Sequence, residues 1–230
     1  AKSSSTNASD DLSSLAAGLD MFFLIYAASL MFCMQGGFAM LCAGCVRKKN
    51  VQNTLLKNIL DACGASIAFF SVGYAFAYGG QTESGMPTTF IGNEGFFLIG
   101  ADQYAFFVFQ VAFAATASTI VAGTLAERCQ MAAYLCFSIA LTAFVYPVIV
   151  HAVWNRNGFL SPFKVEPLWE TGMVDFAGSG VVHVTGGFTA LIASKILGPR
   201  KGRFRDEDEG HNPLGTSVAI KGHSSSLQSL

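Results

Sequence analysis

The sequence predicts an all-α protein, a polytopic bundle of five transmembrane helices, and three observations carry that reading. The 230 residues are 52% hydrophobic but only 13% charged, against about 25% charged residues in an ordinary soluble domain. Five stretches reach the ~20 apolar residues needed to cross a hydrocarbon layer about 30 Å thick. Lysine and arginine are shared unequally between the two sets of connecting loops, as they are when basic loops stay in the cytoplasm.

The elements follow in order. Residues 1–18 are Ser-rich and read as a polar extracellular N-terminus, lacking the basic start and short apolar core of a secretory signal. The first span runs from Met21 to Val46 without a charge. The second runs from Ile59 to Tyr78, with Asp61 near its start. The third extends from Tyr104 to Ala126 and the fourth from Met131 to Trp154, joined by a short link carrying Glu127, Arg128 and Gln130. The fifth covers Met173 to Leu197, and loops at 79–102 and 155–172 make the remaining outer connections. The transmembrane domain is therefore 19–198. Residues 199–230, basic and then acidic and Gly/Ser-rich, read as a cytoplasmic loop or tail.

Five spans place the two ends of the chain on opposite sides of the membrane. One side collects Arg47, Lys48, Lys49, Lys57, Arg128, Lys195, Arg200, Lys201, Arg203, Arg205 and Lys221; the other holds only Lys2, Arg156 and Lys164. The basic side is the cytoplasmic one, so the N-terminus is expected outside and the C-terminus inside. The triplet Asn7-Ala8-Ser9 would then be an outward glycosylation sequon. An odd number of helices also suits one half of an inverted-repeat transporter, whose site lies between the halves.

Several function classes are disfavoured. No basic patch with interleaved aromatics suggests a nucleic-acid groove. The six cysteines lie within or beside apolar runs, and Cys42-x-x-Cys45 has no second pair to complete a four-ligand metal site. Neither a metal, a cofactor nor an enzymatic centre is expected. A haem-type redox subunit is also disfavoured, because His183 lacks a second axial-type histidine and His151 is read as lying at the surface.

Polar groups inside spans are the strongest functional signal, since a charge at mid-membrane costs about 2.5–3.5 kcal/mol on insertion scales. Phe176, Gly180, His183 and Gly187 share one face of an ideal helix, which would tuck His183 between helices, either as a relay group or as a structural histidine. Asp175 either attracts a cation or caps its own helix, and Asp61 reads as an anchor. Phe109 and Phe113 stack one turn apart, with Gln110 between them. Pro147, His151 and Trp154 share a face at the outer end of the fourth span. Trp154 is read either as part of an aromatic belt or, with the phenylalanines, as part of a cation-attracting vestibule.

Four strings then resemble one family. Asp175-Phe-Ala-Gly-Ser-Gly-Val-Val-His183-Val-Thr-Gly-Gly187 is similar to the signature of the Amt/Rh ammonium transporters. Gly37-Phe-Ala-Met-Leu-Cys-Ala-Gly44, Phe109-Gln-Val-Ala-Phe113 with Ala126-Glu127-Arg128, and His151-Ala-Val-Trp154 agree in order. Gly222-His223-Ser224 resembles the loop before that family's sixth helix.

The resemblance implies the first, five-helix inverted repeat of a eukaryotic-type transporter. Ammonium would be held by Phe109 and Trp154, gated by Phe113, and passed as ammonia or ammonium by His183. Asp175 and Gln110 would support the site. It implies a homotrimer, or a heterotrimer with related subunits, spanning the plasma membrane in contact with lipid. The partner histidine, a second gating ring and a recruiting serine would come from the other half, so this chain is expected not to conduct alone. The alternative is a non-conducting partner subunit or an ammonium sensor that modulates full-length transporters.

Overall fold

The computed structural model describes residues 2–80, 88, 90–201, 203, 224 and 226, with side chains from residue 8 onward. Asn7 as a sequon, the acidic run at 206–209, Gly222 and His223 therefore lie outside the described side chains. Among the described residues all regular structure is helical, and five helical spans are long and apolar enough to cross a membrane.

The first span is α1 (Lys2–Gly44), 43 residues long. It is helical through the stretch set apart in sequence as a polar terminus, because no proline interrupts it and Gly18 is the first glycine. The second span comprises α2 (Val51–Ala68), a π-helical segment (Phe69–Gly73) and α3 (Tyr74–Tyr78). The third is the unbroken α4 (Tyr104–Leu125). The fourth comprises α5 (Met131–Ala140), a second π segment (Leu141–Val145) and α6 (Tyr146–Trp154). The fifth opens with a 3₁₀ turn (Phe176–Gly178) and a third π segment (Ser179–Val184), then continues as α7 (Thr185–Leu197). Each span thus lies within two or three residues of its expected limits or extends beyond them, except the fifth, where Met173–Asp175 precede the helix.

Helix α4 is the hub, packed against α1, α2 and α7. Ala112, Ala114, Ala115, Thr116, Ala117, Ser118, Thr119 and Ala122 are all buried in it. Small side chains let neighbouring backbones approach closely where lipid offers no hydrophobic drive for helices to associate. The first two π segments meet at a crossing of the second and fourth spans. A Cβ on Gly73 there would lie 2.7 Å from Thr142 O, so only glycine allows the approach.

A polar cluster ties four spans together through their centre. Asp61 is fully buried. It accepts from Ser118 Oγ (2.7 Å), Thr119 Oγ1 (2.8 Å) and Ser138 Oγ. Gln35 of α1 contacts Thr119 through Oε1 (2.8 Å) and donates to Thr116 through Nε2 (3.1 Å). Asp61 is thus an anchor for the second, third and fourth spans, as its position suggested.

On the basic side, Glu127 sits in a left-handed conformation (φ 62°) in the link between α4 and α5. It accepts from Arg47 N (3.1 Å) and from Asn50 Nδ2, and pairs with Arg47 Nε (3.4 Å) and Arg200 Nη1 (3.3 Å). Three connecting segments meet on this one carboxylate. Burial opposes its ionisation, but the Asn50 and Arg47 hydrogen bonds and the two guanidinium charges outweigh that and hold its carboxyl below the usual value.

Candidate functional site

The site is assembled where α4, the C-terminal end of α6 and the start of the fifth span converge. Phe109 and Phe113 stand one turn apart on α4, with ring centroids 4.8 Å apart at 88°. Phe113 reaches across to Trp154, at 5.7 Å and 77°. Both contacts are edge-to-face, the arrangement aromatic quadrupoles prefer. All three rings are half-buried, so part of each ring surface stays available.

Trp154 closes α6, and its indole Nε1 donates to Asp175 Oδ2 at 2.9 Å. The other carboxylate oxygen, Oδ1, accepts from Gly180 N (2.6 Å) and Ser179 Oγ (3.2 Å). Asp175 therefore caps the helical run behind it and aims the indole at once. Two successive left-handed residues, Ala177 (φ 55°) and Gly178 (φ 73°), turn the chain back over this carboxylate. A Cβ on Gly178 would sit 3.6 Å from the indole edge. Its carbonyl accepts from His183 Nδ1 at 3.1 Å. A carbonyl only accepts, so Nδ1 carries the proton of that bond and Nε2 is left as the ring's free nitrogen.

The sequence reading tucks His183 between helices on a face shared with Phe176, Gly180 and Gly187. Within the described residues that face is open rather than packed. His183 is exposed, Phe176 is 86% exposed, and nothing lies within 4 Å of a Cβ added at Gly187. The packed side carries Val181, Val182, Thr185, Gly186 and Ala190. A Cβ on Gly186 would stand 2.9 Å from Ala117 O. Phe176, Gly180, His183 and Gly187 thus keep to one side, opposite the packed one, and no described helix covers it.

For His151 the structure corrects the sequence reading. It is fully buried rather than at the surface, with Nδ1 2.9 Å from Ala77 O and Nε2 2.9 Å from Thr88 O. It fastens the loop between α3 and α4 to the ends of α3 and α6, helped by Asn155 Nδ2 donating to Ala77 O (3.1 Å). Gln110 is buried beside the rings, and its Oε1 has no hydrogen-bond partner among the described residues. Phe109, Phe113, Trp154 and Asp175 thus form one continuous contact chain with His183 joined through Gly178, while Gln110 lies to one side. The cluster around Asp61 went unread, although Gln35, Ser118 and Thr119 in apolar spans were its signal.

The fold and these residues define a multi-pass, all-helical membrane protein. The sequence profile of the Ammonium Transporter Family matches residues 21–224. The chain is 43% identical to ammonium transporter 1 member 3 of Solanum lycopersicum over 91% of its own length and 44% of that protein's. It is 40% identical to ammonium transporter 3 of Dictyostelium discoideum over 99% of this chain and 49% of that one. Among solved structures it is similar to a protein described as Sensor Amt Protein, with a TM-score of 0.76, 33% identity, and coverage of 92% of this chain and 50% of that one. It is also similar to Candida albicans Mep2, with a TM-score of 0.70, 28% identity, and coverage of 91% and 44%. The chain belongs to the ammonium transporter family. It spans about half the length of the curated relatives it matches.

Proposed function

We propose that this chain supplies the first half of an ammonium transmembrane conduction path. Ammonium is recruited at Phe109 and Trp154, passes the Phe113 ring, and moves on as ammonia or ammonium past His183. Asp175 holds the indole and the helix start in register, and Gln110 supports the site. The observation that carries this reading is the chain of rings ending on an indole whose N–H is fixed by a carboxylate. A ring face attracts an ammonium by about 0.5–2 kcal/mol. Stripping the ion of its water costs several kcal/mol even after relaxation, so rings at an entrance concentrate the ion without drawing it intact into a dry passage. An imidazole, which both accepts and donates, is suited to moving the proton separately.

The open face of His183 supports a second set of helices opposite it, and so a path that this stretch does not close alone. Assembly is read as a homotrimer, or a heterotrimer with related subunits, in the plasma membrane with the N-terminus outside. The test is ammonium-limited growth of cells lacking their own ammonium uptake. Joined to the second half of a family relative, the chain should restore growth, and replacing His183 by Ala in that fusion should change rate or selectivity. Rescue by the 230 residues alone would defeat the half-path reading. Normal rate and selectivity without the imidazole would leave it structural.

A second reading has its own support in the similarity to a protein described as Sensor Amt Protein. In it the same site binds ammonium without conducting it, and the chain is a sensor or a partner subunit that modulates full-length transporters. Altered ammonium currents on co-expression with a complete relative, without current from this chain, would favour that alternative.

A further inference from the structure

On the basic side of the bundle, the ends of the spans enclose a cleft of about 730 Å³. Arg47, Lys49, Lys57, Arg128 and Lys201 line it, with Glu127 as the single carboxylate in its wall. That carboxylate is already engaged by two guanidinium groups, so the wall keeps a surplus of about four positive charges. Lys57 is held in place, its Nζ donating to Cys129 O at 2.9 Å and lying 5.6 Å from the Tyr134 ring centre. An ammonium has three N–H donors, and this contact uses one. Arg128 Nη1 donates to Gly198 O at 3.1 Å, while its Nε is buried with no partner among the described residues. The Arg128 guanidinium charge stands in the wall of the cleft. Lys49 and Lys201 are exposed at the rim.

We propose that this cleft binds clustered phosphomonoesters, as carried by the phosphorylated inositol headgroup of an inner-leaflet lipid. A phosphomonoester bears about −1.5 to −2 charge near neutral pH, so two of them match the surplus of the wall. The volume falls within the ~300–1,000 Å³ of small-molecule sites. The cleft also lies at the helix ends, the depth at which basic pockets between spans meet charged headgroups. The same chemistry in water is that of a soluble inositol phosphate. The inference goes beyond the transport reading and does not require that this chain conduct; it uses only the orientation that puts the basic side inside.

The test is a titration of the purified 230-residue chain in neutral detergent with short-chain phosphatidylinositol bisphosphate, read by native mass spectrometry. Inositol trisphosphate serves as competitor, and short-chain phosphatidylserine as a control for charge alone. Saturable binding of one headgroup is expected, weakened about thirty-fold by Lys49→Gln with Lys57→Gln, since each lysine near a membrane surface contributes roughly a factor of five. Arg156→Gln with Lys164→Gln, on the opposite side, should leave it unchanged. Lys49→Gln alone, at an exposed position, should weaken it about five-fold and guards against misfolding of the double variant. Displacement by inositol trisphosphate supports a site that reads phosphates from either source, and binding of the lipid alone supports the membrane as source. Equal affinity in the lysine variants, or equal binding of phosphatidylserine, overturns the proposal. So does binding that appears only after Asp206, Glu207, Asp208 and Glu209 are made neutral, because the chain's own acidic run would then neutralise these cations.

Discussion

The indole nitrogen of Trp154 and the carboxylate of Asp175 are joined at 2.9 Å, 21 residues apart in sequence. Through this bond the end of the fourth span and the start of the fifth are fixed to one another. The same carboxylate receives Gly180 N and Ser179 Oγ, so one residue sets both the helix start and the pose of the ring.

Asp175→Ala should therefore act on stability and binding together. Loss of a helix cap costs about 0.5–2 kcal/mol, and loss of a hydrogen bond to a charged group about 1.5–3 kcal/mol. A fall in thermal midpoint is expected in detergent, with weaker ammonium uptake in the fused, complete transporter. Unchanged midpoints would show that the carboxylate holds nothing in place.

Trp154→Ala should weaken uptake and, because it also removes the bond to Asp175, lower the thermal midpoint. Losing one ring face of about 0.5–2 kcal/mol raises the ammonium concentration for half-maximal uptake by roughly two- to thirty-fold. Trp154→Phe should fall between the two, keeping a ring but losing the bond to Asp175. Uptake curves that superimpose across these variants would remove Trp154 from recruitment.

Asp61→Ala should be the most destabilising of these substitutions. It removes the acceptor that Ser118, Thr119 and Ser138 share. Thr119 keeps Gln35 and Ala115 O, and Ser118 keeps Ser138. The cost is therefore about 1–3 kcal/mol for the one buried hydroxyl left without an acceptor, plus the cavity the side chain leaves. Asp61→Asn, which still accepts through one oxygen, should be milder. Thermal unfolding followed by circular dichroism ranks the two, and equal midpoints for wild type and Asp61→Ala would refute the anchor role.

Glu127 should make stability sensitive to acid. Burial works against its ionisation, but Asn50, the Arg47 N–H and the charges of Arg47 and Arg200 hold the folded-state carboxyl below its ordinary 4.5. A depressed carboxyl contributes stability in full above the unfolded value and loses it as pH falls through the folded one. The thermal midpoint of wild type should thus drop more steeply than that of Glu127→Gln once pH falls below about 4.5. Parallel curves for the two proteins would show that the clamp is not electrostatic.

How far the sequence alone reaches is clear from particular residues. The spans are legible because lipid demands long apolar runs. Phe109, Phe113, Trp154 and Asp175 are legible because rings and a carboxylate at the ends of such runs are unusual. The face that His183 shares with Phe176 and Gly187 is legible from helical periodicity, but periodicity does not say which helices cover it, and none of the described ones does. The burial of His151 is not legible because its two ring nitrogens face backbone carbonyls of Ala77 and Thr88, which any residue type supplies. Asp61 was recognised as an anchor, but its partners lie 57, 58 and 77 residues away, beyond the reach of periodicity.

Helix α1 has 43 residues, which at about 1.5 Å each gives a rod roughly 64 Å long. The oily slab it must cross is only about 30 Å thick, so close to half of the rod stands clear of the membrane like a mast. Whatever approaches this face meets the mast before it meets Trp154 and Phe113. A tether, sugar or neighbouring protein fixed to its tip would act at a lever arm as long as the membrane is thick.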